Sequence, residues 1–283
     1  MNPITFGTAV VTLVLTSIAA AGLDDTTPPA PPPAAVDTAP APAPDPVLLA
    51  LLDEVEKSGS EVRSFAASVT MVSEEPKDFG RGKTTRTGKL IFRTSDTPTE
   101  SHPRKMLAVL FDSVISGNRK REQRHYYIVG GRWLAEIDPE QKLFIRRDIA
   151  PEGAADFDPF DLRHGIVPLP VGQKRQAVLE RFDVSAIALP ESGALAKLAE
   201  RGVDGIHLVP RPGSGSDTEY QSVDIFFDRA SRLPVGVRAT EKNGNIQSLR
   251  LDDVVVNPTI DEETLAGMSM AVPDPRSWTI DIR

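Results

Sequence analysis

The stretch from Tyr126 to Ile145 constrains the fold most, because it holds three short apolar segments separated by two turn signals. Gly130 and Gly131 accept the positive φ angles of a tight hairpin, and Pro139 presets φ for a second turn. The stretch therefore predicts a three-stranded antiparallel meander. Its two tyrosines, one tryptophan and one phenylalanine either fill an ordinary core or line a space that holds a ligand.

Short segments of the same kind recur along the chain. Several alternate between apolar and polar residues, and the segment at 106–111 is apolar on both sides, which is typical of a strand buried on both faces. The segments span residues 65–71, 89–93, 106–111, 205–209, 222–228, 233–240 and 246–256. Together with the meander they predict roughly ten strands at hairpin spacing, and hence one large antiparallel sheet or barrel.

Three helical segments accompany the strands. Asp45 and Pro46 suit the cap and first position of a helix whose apolar residues, beginning at Val47, recur at helical spacing. Two shorter amphipathic segments, 173–182 and 194–201, lie between the two β-rich halves of the chain. We expect all three to lie over one face of a curved sheet.

Composition and charge exclude several classes of function. The chain has no Cys, which rules out disulfides, thiolate catalysis and zinc-thiolate sites. The net charge is −8, and four of these charges come from residues 1–46, so no strongly basic surface predicts a nucleic-acid partner.

No motif in the sequence predicts an enzyme, a metal site or a cofactor. There is no nucleophile elbow, Walker loop or H-E-x-x-H, and Gly213 to Ser216 lacks the Lys and the following helix of a phosphate loop. The four histidines have no partners at metal spacing. The acidic pairs near Asp253 and Asp261 lack the alternate-residue ligands of a calcium loop, so we interpret them as structural.

The N-terminal region predicts export. An uncharged apolar run precedes Ala19-Ala20-Ala21, a small-residue site that favours a signal peptide over residues 1–21, with an uncleaved anchor as the alternative. Residues 22–46 form a Pro/Ala tract that we interpret as a disordered spacer. The folded domain is then 47–283, and the expected location is the periplasm.

The order of these features resembles the periplasmic outer-membrane lipoprotein carriers, the LolA-like family. The resemblance covers about Val47 to Leu265 and is carried by the hairpin from Trp133 to Lys142, the Pro-broken segment PLPVGQKRQAVLERF and the closing element from Asp253 to Asp261, DVVVNPTID. It implies a mainly β (α+β) fold: an unclosed antiparallel half-barrel of about ten to eleven strands, with helices covering its concave face.

The resemblance also implies a non-enzymatic carrier that holds acyl chains of a lipid or lipoprotein in an apolar cavity. On this reading the cavity is lined by Phe65, Val69, Met71, Leu90, Phe92, Tyr127, Trp133, Ala135, Leu143, Ile145, Val223, Ile225 and Phe227. The lid contains Ile166, Leu169, Val178, Leu179 and Phe182. The implied partners are an inner-membrane ABC exporter and an outer-membrane acceptor, and we expect a monomer. The alternative is an envelope structural, interaction or sensor protein whose cavity is filled by its own helices.

Two features stand apart from this pattern. Leu107 occupies the position of an Arg that is typical of the family, so we expect no cationic latch on the lid. Residues 118–124 form the densest basic run, which we interpret as a solvated hairpin tip, with contact to anionic headgroups or an acidic partner as the alternative.

Overall fold

The structure, a computed structural model, describes residues 45–76, 82–117, 119–151, 153–154, 157–160, 173–214 and 216–283. The predicted signal peptide, most of the predicted spacer and the predicted lid residues Ile166 and Leu169 lie outside the described residues. Within those ranges, no helix combines the length and apolar character needed to cross a membrane.

A single sheet of twelve strands dominates the described chain, and its strands follow the order β12-β6-β5-β4-β3-β2-β1-β11-β10-β9-β8-β7. The strands are β1 (Ser64–Glu74), β2 (Lys83–Thr94), β3 (Lys105–Ser116), β4 (Arg119–Gly130), β5 (Trp133–Asp138), β6 (Leu143–Asp148), β7 (Phe182–Ile187), β8 (Val203–Pro210), β9 (Tyr220–Asp228), β10 (Pro234–Glu241), β11 (Ile246–Val256) and β12 (Thr279–Ile282). The sheet is not closed, because β12 and β7 are its two edges. The predicted antiparallel half-barrel is confirmed.

Two of the twelve strands were not predicted. Strand β7 pairs with β8 at one edge, and β12 pairs with β6 in parallel at the other. The helix predicted over 173–182 ends at Arg181, and Phe182 is the first residue of β7. The four residues of β12 are too few to show an alternating pattern.

The α-helices are α1 (Pro46–Ser60), α2 (Arg175–Arg181) and α3 (Glu262–Gly267), and a 3-10 helix spans Ala196–Glu200. The predicted start of α1 is confirmed, since the Asp45 side chain accepts a hydrogen bond from the Val47 amide at 2.9 Å. Leu48, Leu52 and Val55 form the buried stripe of α1. Helix α2 contacts α1, and both lie on the same side of the sheet.

The two faces of the sheet are covered differently. We call the face that carries Phe65 and Val69 the inner face, and the opposite face the outer face. Helices α1 and α2 cover the inner face at β8–β10. The prediction that 194–201 also lies there is wrong: Leu195 and Leu198 pack against Phe226 on the outer face, because Phe226 points away from its neighbours in β9.

The acidic element that closes β11 is structural, as predicted. The Asn257 side chain accepts hydrogen bonds from the amides of Arg63 and Ser64 at 2.8 and 3.0 Å, which ties the end of β11 to the start of β1. Asn257 has a φ of 52°, a conformation that Asn tolerates better than most residues. Asp261 caps α3 through the Thr264 amide at 2.7 Å, and this bond lowers the pKa of the Asp261 carboxyl.

Candidate functional site

A continuous apolar cluster covers the inner face from β11 to β5. We call it the inner apolar cluster. Its buried side chains come from neighbouring strands whose paired residues point to the same side of the sheet. The strand members are Phe65, Ala67, Val69, Met71, Leu90, Phe92, Leu107, Phe111, Tyr127, Val129, Leu134 and Leu251, and Ile149, Phe160 and Leu233 join them from outside the strands.

The segment that follows β6 covers part of this cluster through its side chains. The Phe160 ring meets the Phe92 ring edge-on, with centroids 5.8 Å apart. Lys105 forms an ion pair with Asp158 at 2.5 Å. In contrast, the amide of Ala154 donates to Pro151 O and that of Phe160 to Asp158 Oδ1, both within the segment. The described contacts of residues 153–160 with the sheet are therefore made by side chains.

The other half of the inner face is filled by helices. Val223, Ile225 and Phe227 of β9 share a cluster with Val178 of α2 and with Phe182, and Leu179 packs against it. These β9 residues and the described lid residues thus lie in one cluster, and that they form a cavity wall and a lid stays a prediction. Here α2 is tied to α1 by an ion pair between Arg175 and Asp53 at 2.6 Å.

Most predicted wall residues of the other half share one cluster. Phe65, Val69, Met71, Leu90, Phe92 and Tyr127 all belong to the inner apolar cluster. Leu143 and Ile145 lie opposite Asp138 and Glu136, which places them on the inner face, half-buried. That these residues line a lipid cavity stays a prediction.

The prediction for β5 is wrong. Trp133 and Ala135 belong to a cluster on the outer face, together with Phe144 and Met268. Glu136 lies opposite Tyr127 and is buried on the inner face. Alternation in β5 separates Trp133 and Ala135 from Glu136, but this apolar side packs on the outer face, where Met268 and Met270 cover it.

Sequence reasoning missed several residues of the inner apolar cluster. Leu107 and Phe111 lie in a predicted strand whose inner side was not assigned, and Val129 lies on the side of β4 that Tyr127 had marked as inward. Leu107, the residue that replaces the family Arg, is buried among them. The sequence of β3 gives no signal for this side, because residues 106–111 are apolar on both sides, and the register with β2 decides it.

A polar group adjoins the inner apolar cluster near the start of β2 and the middle of β4. We call Arg86, His125, Tyr127, Glu136 and Arg147 the inner polar group. His125 Nε2 lies 3.0 Å from Glu136 Oε1, and Arg147 lies 3.8 Å from the other carboxylate oxygen. The His125 ring stacks on Tyr127 at 4.6 Å. Burial is the main cause that raises the pKa of Tyr127, and burial also lowers the pKa of Arg86.

The histidine–carboxylate pairs do not form a nucleophile site. His125 pairs with Glu136 across β4 and β5, and His207 pairs with Asp224 across β8 and β9 at 2.5 Å. Among the described residues, neither histidine has a Ser, Thr or Lys side chain at hydrogen-bond distance. The arrangement that activates a hydroxyl nucleophile is thus missing from this part of the chain.

Comparisons with known proteins concern the fold. No protein-family model and no curated protein sequence matches the chain. Similar solved structures include a Pseudomonas aeruginosa MucA/MucB complex (10% identity, TM-score 0.38, 79% of this chain and 62% of that chain). They also include the lipoprotein LppX of Mycobacterium tuberculosis, with 10% sequence identity and a TM-score of 0.38 over 76% of this chain and 98% of that chain. A LolA superfamily protein of Nitrosomonas europaea is similar too, with 10% sequence identity and a TM-score of 0.30 over 75% of this chain and 94% of that chain.

A LolA superfamily protein is thus among the solved structures that resemble this chain, as the sequence motifs predict. The chain spans less than two thirds of the chain that it matches in the MucA/MucB complex. At these TM-scores we base no argument about function on the similarity, and the function is argued from the chain's own residues.

Proposed function

We propose that this protein is a non-enzymatic, exported carrier that binds the acyl chains of a lipid or lipoprotein against the inner apolar cluster. One observation carries the proposal: a broad apolar surface is covered by a segment whose described contacts with the sheet are side-chain contacts. Such a cover can open while the backbone hydrogen bonds of the sheet stay intact. The leader at 1–21 and the spacer at 22–46 belong to the same proposal, as do periplasmic location and transfer to the outer membrane.

The energetics of acyl burial suit such a carrier. Each buried CH₂ group contributes ~0.8 kcal/mol, so a chain of about sixteen carbons contributes on the order of 10 kcal/mol before the cost of opening the cover. Exporter and acceptor proteins would deliver and receive the cargo. This affinity is large enough to hold a lipid in water and still allows transfer to a better acceptor.

A second function is favoured by the other half of the inner face. There, α1 and α2 already fill the surface of β8–β10 with buried side chains. If the chain's own side chains filled the whole inner face in this way, the domain would serve as an envelope interaction or sensor protein. The presence or absence of bound lipid separates the two functions.

Native mass spectrometry of the protein purified from a bacterial periplasm should show a complex with lipid mass. Replacing Ala67 by Phe places a ring within the inner apolar cluster and should remove most of this lipid, since the added volume competes with the acyl chain. Ala66→Phe is the matched control, because Ala66 points to the outer face opposite Ile91, and this variant should retain the lipid. Wild-type protein that carries no lipid would support the self-filled alternative.

Hydrogen exchange should locate the moving part. The amides of residues 173–182 should exchange faster than those of Val223–Phe227, because α2 is a short helix at one edge and β9 lies between two paired strands. Addition of palmitate should slow exchange in residues 157–160, which cover the inner apolar cluster, and in 173–182, where the Gln173 side chain donates a hydrogen bond to Phe160 O at 3.0 Å. The exposed Arg175–Asp53 pair contributes little, so both rates should depend weakly on salt. Equal protection of both segments, unchanged by palmitate, would argue against a lid.

A further inference from the structure

One end of the inner face carries arginines in place of apolar residues. Arg86 of β2 lies opposite Met71 of β1 and opposite Val114 of β3, and Val114 lies opposite Arg121 of β4. Directly paired residues of an antiparallel sheet point to the same side, so both arginines lie on the inner face. The next inner pair toward the strand ends contains Arg119, opposite Ser116. Arg119 and Arg121 of the predicted basic run thus form the rim of the inner face.

Among the residues that the structure describes, these cations have no acidic partners. Within the described part of the chain, no carboxylate lies within ion-pair distance of Arg86, Arg119 or Arg121. Neighbouring cations at the same end are paired: Lys83 with Glu74 at 3.1 Å and Arg124 with Glu140 at 3.6 Å. An unpaired guanidinium is costly where water is partly excluded, and the Arg86 side chain is half-buried.

The one carboxylate of the inner polar group is already engaged. Glu136 is bonded to His125 through one oxygen and faces Arg147 through the other. Burial lowers the pKa of Arg86, which is the effect of desolvation on a cation without a close compensating anion. An anion that bound here would supply that compensation, and the planar guanidinium suits phosphate or carboxylate oxygens.

The arginines continue the apolar surface along the same strand. In β2 the inward residues change from Phe92 and Leu90 through Gly88 to Arg86. This change spans ~20 Å at the usual rise per residue. An amphiphile can therefore lie along the inner face with its chain over the apolar residues and its charged end at the rim.

We propose that Arg86 and Arg121 bind the anionic head group, phosphate or carboxylate, of an amphiphile whose acyl chain lies on the inner apolar cluster. The inference rests on the proposed carrier function and adds to it the charge and the orientation of the cargo. Zwitterionic lipids with the same chain are then poorer ligands, because their cationic group meets the same arginines.

Calorimetric titration with two lysolipids below their micelle concentrations tests the head-group site. Palmitoyl-lysophosphatidylglycerol should bind the wild type more tightly than palmitoyl-lysophosphatidylcholine. Arg86→Gln should weaken binding of the anionic lipid about tenfold, because it removes a charge-assisted bond from a half-buried site. Arg121→Gln, at an exposed position, should weaken it about threefold. Neither variant should weaken binding of the zwitterionic lipid, whose cationic group the arginines repel, and added salt should reduce the preference.

Lys89→Gln is the matched control. Lys89 lies three residues from Arg86 in β2, pairs with Leu110, and is exposed on the outer face, so its loss should leave both affinities unchanged. Arg86→Lys keeps the charge and should retain most of the preference. Circular dichroism checks the fold, and if Arg86→Gln misfolds, Arg121→Gln and Arg86→Lys still decide the result.

The outcomes separate the two proposals. If neither lysolipid binds the wild type, the carrier function itself fails. If both bind equally, or if Arg86→Gln weakens both equally, the carrier function stands and the head-group site is overturned. Inorganic phosphate should compete only weakly because it lacks an acyl chain; binding as tight as that of the anionic lysolipid would identify a free-anion site instead and overturn the inference.

Discussion

Replacing Met268 and Met270 together by Ala is expected to lower the free energy of unfolding by about 5 kcal/mol. Both side chains are buried, at 0% and 1% exposure, and pack on the outer face against residues such as Met106 and Ile128. Each substitution removes buried methylene groups and leaves a cavity. A loss of this size is comparable with the whole stability of many domains, so the variant should be largely insoluble on expression.

Urea denaturation of the single variants measures the effect where the double variant does not express. Val272→Ala is the matched control from the same segment, since Val272 is 44% exposed, and its loss should change the unfolding free energy by less than about 0.5 kcal/mol. Losses below 1 kcal/mol for both methionines would show that the C-terminal segment does not seal the outer face.

Gly88→Ala is expected to destabilise the protein by about 3 kcal/mol. A Cβ at Gly88 would lie 2.0 Å from Leu110 O and 2.7 Å from Phe111 Cα, both backbone atoms of β3. The pairing of β2 with β3 shifts register between Thr87 and Gly88, and this shift brings the two backbones so close. Relief requires β2 and β3 to separate, which breaks their hydrogen bonds.

The control for Gly88, Gly82, lies immediately before the same strand. Nothing lies within 4 Å of a Cβ at Gly82, so Gly82→Ala should leave the unfolding midpoint unchanged or raise it slightly. Thermal and urea unfolding of the two variants give the comparison. Equal midpoints would mean that the close contact of β2 with β3 is absent in solution. Because Arg86 lies two residues from Gly88, the Gly88 variant should also lose anionic-lipid preference wherever it remains folded.

The two faces of the sheet contribute differently to stability and to the proposed lipid binding. The outer face is sealed by parts of the chain itself, the C-terminal segment and the 3-10 helix, which contribute stability. The inner face combines a helix-filled half with a half covered by side-chain contacts. Stability and ligand exchange are thereby placed on opposite sides of one sheet, so substitutions on the outer face should alter folding more than lipid affinity.

The sequence by itself determined the class of fold and part of the inner face. Turn residues at Gly130 and Pro139 separated the meander strands, and Asp45 and Pro46 marked the start of α1. In β1 and β9 one side is consistently apolar, so alternation placed Val69 and Ile225 correctly on the inner face. A period of two shows which residues share a side, and in these two strands the apolar side is the inner one.

The tertiary structure decided what alternation leaves open. Trp133 and Leu134 are both apolar neighbours in β5, and pairing with β4 turned Leu134 inward and Trp133 outward. The pairings of β3 with β2 and β4 placed Arg86 and Arg121, remote in sequence, on either side of Val114 on the inner face at the rim. The physical reason is that a side chain's direction in a sheet is set by its register with neighbouring strands, and those pairings form between residues that local sequence does not relate.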